Sequence, residues 1–176
     1  TTSDTLTMTS ADDGGLTDTD TVTINVQDAP LNALPSTAPK VVAGDQTPIS
    51  GVSVADANTN LSTTQLTVTD GVLNVDTAGG ATIIGANDSA TLTLSGDDAQ
   101  INAALATLEY TGNAGTTTDT LTMTSTDNGS LADTDSMTIT LSNPPVNTLP
   151  PAPPVVTEAT QTAISGVSVT DINSNL

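Results

Sequence analysis

Short runs in which every second residue is apolar, broken by clusters of Gly, Asp, Asn and Pro, fill most of the 176-residue chain. Strict alternation over four to eight residues puts all the apolar side chains on one face of an extended strand, so each run predicts a half-buried β-strand. "DTLTMTS" carries Leu121 and Met123, "DSMTITL" carries Met137, Ile139 and Leu141, and "ATLTLSG" carries Leu92 and Leu94. In "QLTVTDGVLNV", Leu66 and Val68 precede an Asp70-Gly71 pair and Leu73 follows it, which predicts a hairpin turn at 70–71. Val52 and Val54 share one face while Ile49 is out of phase across Gly51, which predicts a bulge there. One stretch changes period. In "DDAQINAALATLEY" (97–110) Ile101, Ala104, Leu105 and Leu108 follow helical spacing, and Asp97 with Gln100 three residues later forms a capping-box pattern. The expected fold is all-β: an antiparallel Greek-key sandwich with one short helix packed over its end or edge.

The pattern also repeats. Setting residue 1 over residue 116 aligns 1–61 with 116–176 without a gap, and 35 of the 61 pairs are identical. "DTLTMTS" recurs letter for letter at 4–10 and 119–125, and "GVSVADANTNL" (51–61) returns as "GVSVTDINSNL" (166–176). A period of this length matches one independently folding domain, so the chain reads as a window cut from a tandem array. Alternation stops and Pro accumulates in "VQDAPLNALP" (26–35) and "LSNPPVNTLP" (141–150), which mark short stiffened linkers. The expected organisation is the C-terminal part of one repeat at 1–29, a complete repeat at 30–144, and the N-terminal part of the next at 145–176.

Composition narrows the chemistry. Twenty acidic residues face a single basic one, Lys40, for a net charge of −19, and the chain has no His, Cys, Trp or Phe. Such a chain repels polyphosphates and anionic lipid surfaces, so nucleic-acid binding is not expected, and with no apolar run near the ~20 residues a span requires, neither is membrane insertion. The usual nucleophile–base pairs are missing; Glu109 and Glu158 are the only Glu residues, and Glu158 aligns with Ala43, so no shared acid–base pair is marked and no enzyme is expected. Tyr110 is the only aromatic residue, which argues against an aromatic sugar platform. Oxygen ligands without His or Cys disfavour zinc and copper and suit calcium (Ca2+).

The order "GVSVADAN", "TLTLSGDDAQINAALATLEYTGNAG", "TDTLTMTSTDNG", "DTDSMTITL" and a "DAP" linker resembles the cadherin-like tandem repeats of giant secreted (RTX-type) bacterial adhesins. The similarity covers essentially the whole repeat, and "INAALATLEYTGN" followed by "DTLTMT" is its most specific part. The resemblance implies an extracellular or cell-surface location, an extended rod, and calcium at or near the repeat junctions.

A separate argument places the carboxylates. If a repeat begins at one pole of a sandwich and ends at the other, then the incoming linker, the loop after the second strand (55–60) and the last hairpin (125–135) meet at one pole. That brings Asp28, Asn32, Asp56, Asn58, Asn60, Asp127, Asp133 and Asp135 towards one junction as candidate calcium ligands. Asp133 and Asp135, two apart on a strand, share a face and repel each other unless a cation enters. Matching positions in the neighbouring repeats are Asp12, Asp18 and Asp20, and Asn143, Asn147, Asp171, Asn173 and Asn175. The function expected is a structural spacer or shaft, whose partners are neighbouring repeats of the same chain. The alternatives are a self-assembling filament or surface-layer subunit with homotypic contacts, completed by neighbouring chains, and a calcium-dependent carbohydrate-binding module.

Overall fold

A computed structural model describes residues 2–175. In chain order the elements are β1 (Ser3–Ala11), β2 (Thr17–Asn25), β3 (Leu31–Ala33), β4 (Lys40–Val42), β5 (Gln46–Pro48), β6 (Ser53–Ala55), β7 (Leu61–Val68) and β8 (Val72–Asn74). There follow β9 (Thr82–Ile84), β10 (Thr91–Ser95), α1 (Asp98–Leu105), β11 (Glu109–Thr111), β12 (Thr118–Asp127), β13 (Ala132–Ser142), β14 (Val146–Thr148) and β15 (Ser168–Thr170). The chain is therefore mostly β, with one helix among the described residues.

A six-stranded sheet runs in the order β4-β13-β12-β7-β10-β9, and a three-stranded sheet runs β5-β11-β8. All pairs are antiparallel except β4 against β13, where Lys40, Val41 and Val42 lie beside Thr140, Leu141 and Ser142 in parallel. Leu66, Leu92, Leu94, Leu121, Met123, Ile139 and Leu141 of the large sheet join Leu73 and Tyr110 of the small one in a single buried cluster. Their Thr neighbours point outward, which is why an alternating Thr/apolar run satisfies a strand that is wet on one face. Two sheets sharing one core are what a β-sandwich requires. The buried residues all fall between Pro30 and Asn143.

The helix lies where its spacing predicts. Asp97 is the N-cap, its side chain accepts from the Gln100 N–H, and the Gln100 side chain accepts from the Asp97 N–H. Ile101, Ala104 and Leu105 turn into the core, with Leu108 buried just beyond.

Two expected turns differ. Asp70-Gly71 is not a hairpin turn: β7 pairs with β10 and β12, and β8 pairs with β11, so the chain crosses between sheets at this point. Gly71 has φ +133°, and a Cβ there would sit 2.7 Å from the Thr111 carbonyl oxygen and from the Tyr110 ring. The glycine serves a close crossing of backbones. Gly51, likewise, is not an in-strand bulge; it lies between β5 and β6, which belong to different sheets, and the change of sheet accounts for the lost phase between Ile49 and Val52.

At the two ends, β1 pairs with β2 and β14 pairs with β15, each as a separate two-stranded sheet with every residue exposed. Among the described residues no helix is long and apolar enough to cross a membrane.

Candidate metal centre at the repeat junction

The loop after β6 begins with Asp56, whose backbone and side chain fold it. Asp56 Oδ1 accepts from the Asn58 N–H (2.8 Å), and its carbonyl accepts from the Thr59 N–H (3.1 Å) with Thr59 in the left-handed region at φ +54°. This Asx turn aims Asn58 at the incoming linker. The Asn58 amide grips that linker at two points: its Oδ1 accepts from the Asp28 N–H (2.7 Å) and its Nδ2 donates to the Val26 carbonyl (2.9 Å). The Asp56 N–H donates to Asp98 Oδ2 in the first turn of α1 (3.0 Å), so the helix anchors the loop from behind.

The turn between β12 and β13 closes the other side. Asp127 Oδ1 accepts from the Leu131 N–H (2.7 Å), and the Asn128 N–H donates to the Asn60 carbonyl (2.9 Å). Asn60 Nδ2 reaches Gln27 Oε1 of the linker (3.4 Å). Linker, β6–β7 loop and hairpin turn are thus tied into one junction. Gln27, Asn60, Asn128, Gly129 and Leu131 line a recess of about 460 Å³ there.

Three buried oxygens in these loops have no hydrogen-bond partner: Asp56 Oδ2, Asn60 Oδ1 and Asp127 Oδ2. Asp56 is 5% exposed and Asp127 is 3% exposed. A buried acceptor left unsatisfied costs about 1–3 kcal/mol, and more when charged. Two carboxylates and an amide oxygen are donors of the oxygen-only kind that hard divalent cations take. Among the described residues, no three acidic side chains gather closely enough to hold an ion by carboxylates alone. Any ion held here would complete its shell with amide or backbone oxygens and water.

The other candidate residues are placed differently. Asn32 is buried and structural: its N–H donates to Asp133 Oδ2 (2.9 Å), its Nδ2 to the carbonyls of Met123 and Asp133, and its Oδ1 accepts from Ser125 Oγ (2.6 Å). Asp133 Oδ2 thereby anchors β3. Asp135 is exposed and lines a groove of about 570 Å³ with Asn32, Leu34 and Met137. Asp12 and Asp18 lie at or near the exposed turn of the β1–β2 hairpin, and Asp20 lies within β2 opposite Met8. Even Asp20 is roughly 17 Å of strand from the end of β2 at Asn25, so the three do not join this junction.

The second linker repeats the grip. Asn173 Oδ1 accepts from the Asn143 N–H (2.6 Å), Asn173 Nδ2 donates to the Leu141 carbonyl (2.8 Å), and Asp171 Oδ1 accepts from the Asn173 N–H (2.8 Å). Asn175 N–H faces Asp171 Oδ2 at 3.4 Å, and Asn147 is exposed on β14. Asn143 stands where the first linker has Asp28, and it binds the turn before β12 through Gly115 N–H and the Thr116 carbonyl.

Sequence reasoning passed over Gln27, Asp98 and Ser125. Ser125 aligns with the identical Ser10 and could have been noticed, whereas Gln27 aligns with Ser142 and carries no repeat signal. In comparison with known proteins, the chain matches no protein-family model and no curated sequence.

Proposed function

We propose that the chain is a spacer or shaft segment of an extracellular tandem-repeat adhesin or surface filament. Cadherin-like Greek-key sandwiches follow one another as an extended rod, and calcium stiffens each joint. The observation that carries this reading is the set of orphaned oxygens on Asp56, Asn60 and Asp127, buried beside a linker that Asn58 holds at two points. A bound cation would answer their unmet acceptor capacity and lock three segments distant in sequence. The repetition of the Asn58 grip at Asn173 supports a joint made the same way in each unit. No catalytic step is assigned to the site.

Sites of this class bind calcium with dissociation constants of roughly 0.1–1 mM, so ~10 mM calcium would add about 1.5–3 kcal/mol per site. The test is thermal unfolding of the 176-residue chain in EDTA and in millimolar calcium, beside the Asp56→Asn and Asp127→Asn variants. A calcium-dependent rise in Tm that both variants reduce is expected. Identical melting of the unsubstituted chain in EDTA and calcium would overturn the cation reading.

A further inference from the structure

The turn that closes the junction contains the only Asn-Gly pair in the chain, Asn128-Gly129. We propose that Asn128 is a self-modification site: its side-chain amide is lost spontaneously, and the carboxylate formed adds to the donor set of the junction. The second half of this inference rests on the proposed cation site; the first does not.

The reaction needs only water. The backbone nitrogen of Gly129 attacks Asn128 Cγ, a C–N bond forms, and the Cγ–NH2 bond breaks. Ammonia leaves, taking up the proton of the Gly129 N–H, and a five-membered succinimide remains. Water adds to either ring carbonyl, and opening yields aspartate or isoaspartate with release of a proton; nothing is oxidised or reduced.

The structure favours this step at Asn128 in three ways. Asn128 is exposed, so water reaches it. Gly129 has no side chain to hinder attack, and its N–H makes no hydrogen bond among the described residues, whereas the flanking Asn128 and Ser130 N–H groups are held by the Asn60 and Asp127 carbonyls. Nucleophile and electrophile therefore sit in a turn fixed on both sides of the bond that must form.

The β1–β2 hairpin supplies an independent observation. Its turn has the same bonds: Asp12 Oδ1 accepts from the Leu16 N–H as Asp127 Oδ1 does from the Leu131 N–H. Gly15 N–H donates to the Asp12 carbonyl as Ser130 N–H does to that of Asp127. Gly15 and Ser130 both have positive φ, +79° and +67°. At the position of Asn128 that turn carries Asp13. Opening to aspartate would thus install the residue the sister turn already has, in a conformation that turn already adopts, and opening to isoaspartate would add a carboxylate on a backbone longer by one carbon. Asn128 lines the same recess as Asn60 and Gln27, so the new charge would lie in the recess that Asn60, one of the residues with an orphaned oxygen, also lines.

The experiment incubates the full chain in EDTA at mildly alkaline pH and follows each asparagine by peptic mass mapping, with isoaspartate detected by enzymatic carboxyl methylation. Asn128 should convert an order of magnitude faster than any other asparagine, and Asn128→Gln should abolish the signal. An Asn128 that stays an amide as long as the others overturns the proposal. In calcium titrations, Asn128→Asp should bind severalfold more tightly than the unsubstituted chain; equal affinity overturns the link to the junction. Conversion at Asn128 with no calcium bound by either chain overturns that link through failure of the cation reading, and leaves the modification standing.

Discussion

At the scale of single residues, the most constrained group away from the junction is Asp119. It is 3% exposed and accepts from Thr69 N–H and Oγ1, Asp70 N–H, Thr120 N–H and the Tyr110 hydroxyl. Burial pushes its carboxyl up, but the donors from Thr69, Tyr110, Thr120 and Asp70 outweigh it and hold the group below the ordinary carboxylate range. The Tyr110 phenol is pushed up, first by burial and then by its bond to Asp119 and the negative charges of Asp119 and Asp70. The signs give two limbs. The stability contributed by Asp119 is present above the unfolded value of about 4 and is lost as pH falls through its lowered folded value. That of Tyr110 is present below about 10 and is lost as pH rises from there towards its raised folded value. Tyr110→Phe should cost about 1–2 kcal/mol, shift the acid limb to higher pH because Asp119 loses a donor, and remove the alkaline limb. Urea unfolding across a pH series reads all three effects.

At the scale of elements, α1 ties core to junction. It packs Ile101, Ala104 and Leu105 inward, Asp98 Oδ2 accepts from the Asp56 N–H, and Asn102 bonds both the N–H and the carbonyl of Val54 on β6. Asp97→Ala should cost about 1 kcal/mol through the lost cap, and should also weaken calcium binding, because fraying the first turn frees Asp98 and hence the Asp56 loop. Thermal unfolding with a calcium titration checks both; a stability loss with unchanged calcium affinity would show that the helix supports the core alone. This helix was legible because its spacing and cap chemistry are local. The strands were legible for the same reason, but their partners were not. Asp70-Gly71 has the composition of a hairpin turn, yet the glycine answers a close approach to Tyr110 and Thr111, about 40 positions on. At the junction, the pole argument reached Asp56, Asn58, Asn60 and Asp127, because repeat topology alone brings their loops to the linker. The bond of the Asp133 carboxylate to the Asn32 N–H was not legible, since charge in a sequence does not show which backbone group a carboxylate meets.

At the scale of the whole molecule, the internal repeat pairs exposed side chains at the two ends with buried ones in the middle. Leu6, Met8 and Ile24 are 58%, 67% and 47% exposed, while their counterparts Leu121, Met123 and Ile139 are each at 0%. Val156 and Ile164 are 58% and 54% exposed against 1% for Val41 and Ile49. Burying each such side chain stabilises a fold by about 1.5–3 kcal/mol, and in 30–144 the cover comes from the core of the same unit. Two complete repeats in one chain should therefore leave only the joint as a soft element. That joint has an amide grip that needs no metal, at Asn58, and an orphaned oxygen set that invites one. Calcium should then lengthen and stiffen a two-repeat chain without changing either repeat. Small-angle X-ray scattering should show a larger maximum dimension in calcium than in EDTA. Asn58→Ala should shorten the EDTA form further, because it removes the hydrogen bonds that Asn58 makes with the Val26 and Asp28 backbone. Superimposable scattering curves in calcium and EDTA would mean that the grip alone sets the angle between repeats, and the cation's role would then be confined to the stability of each unit.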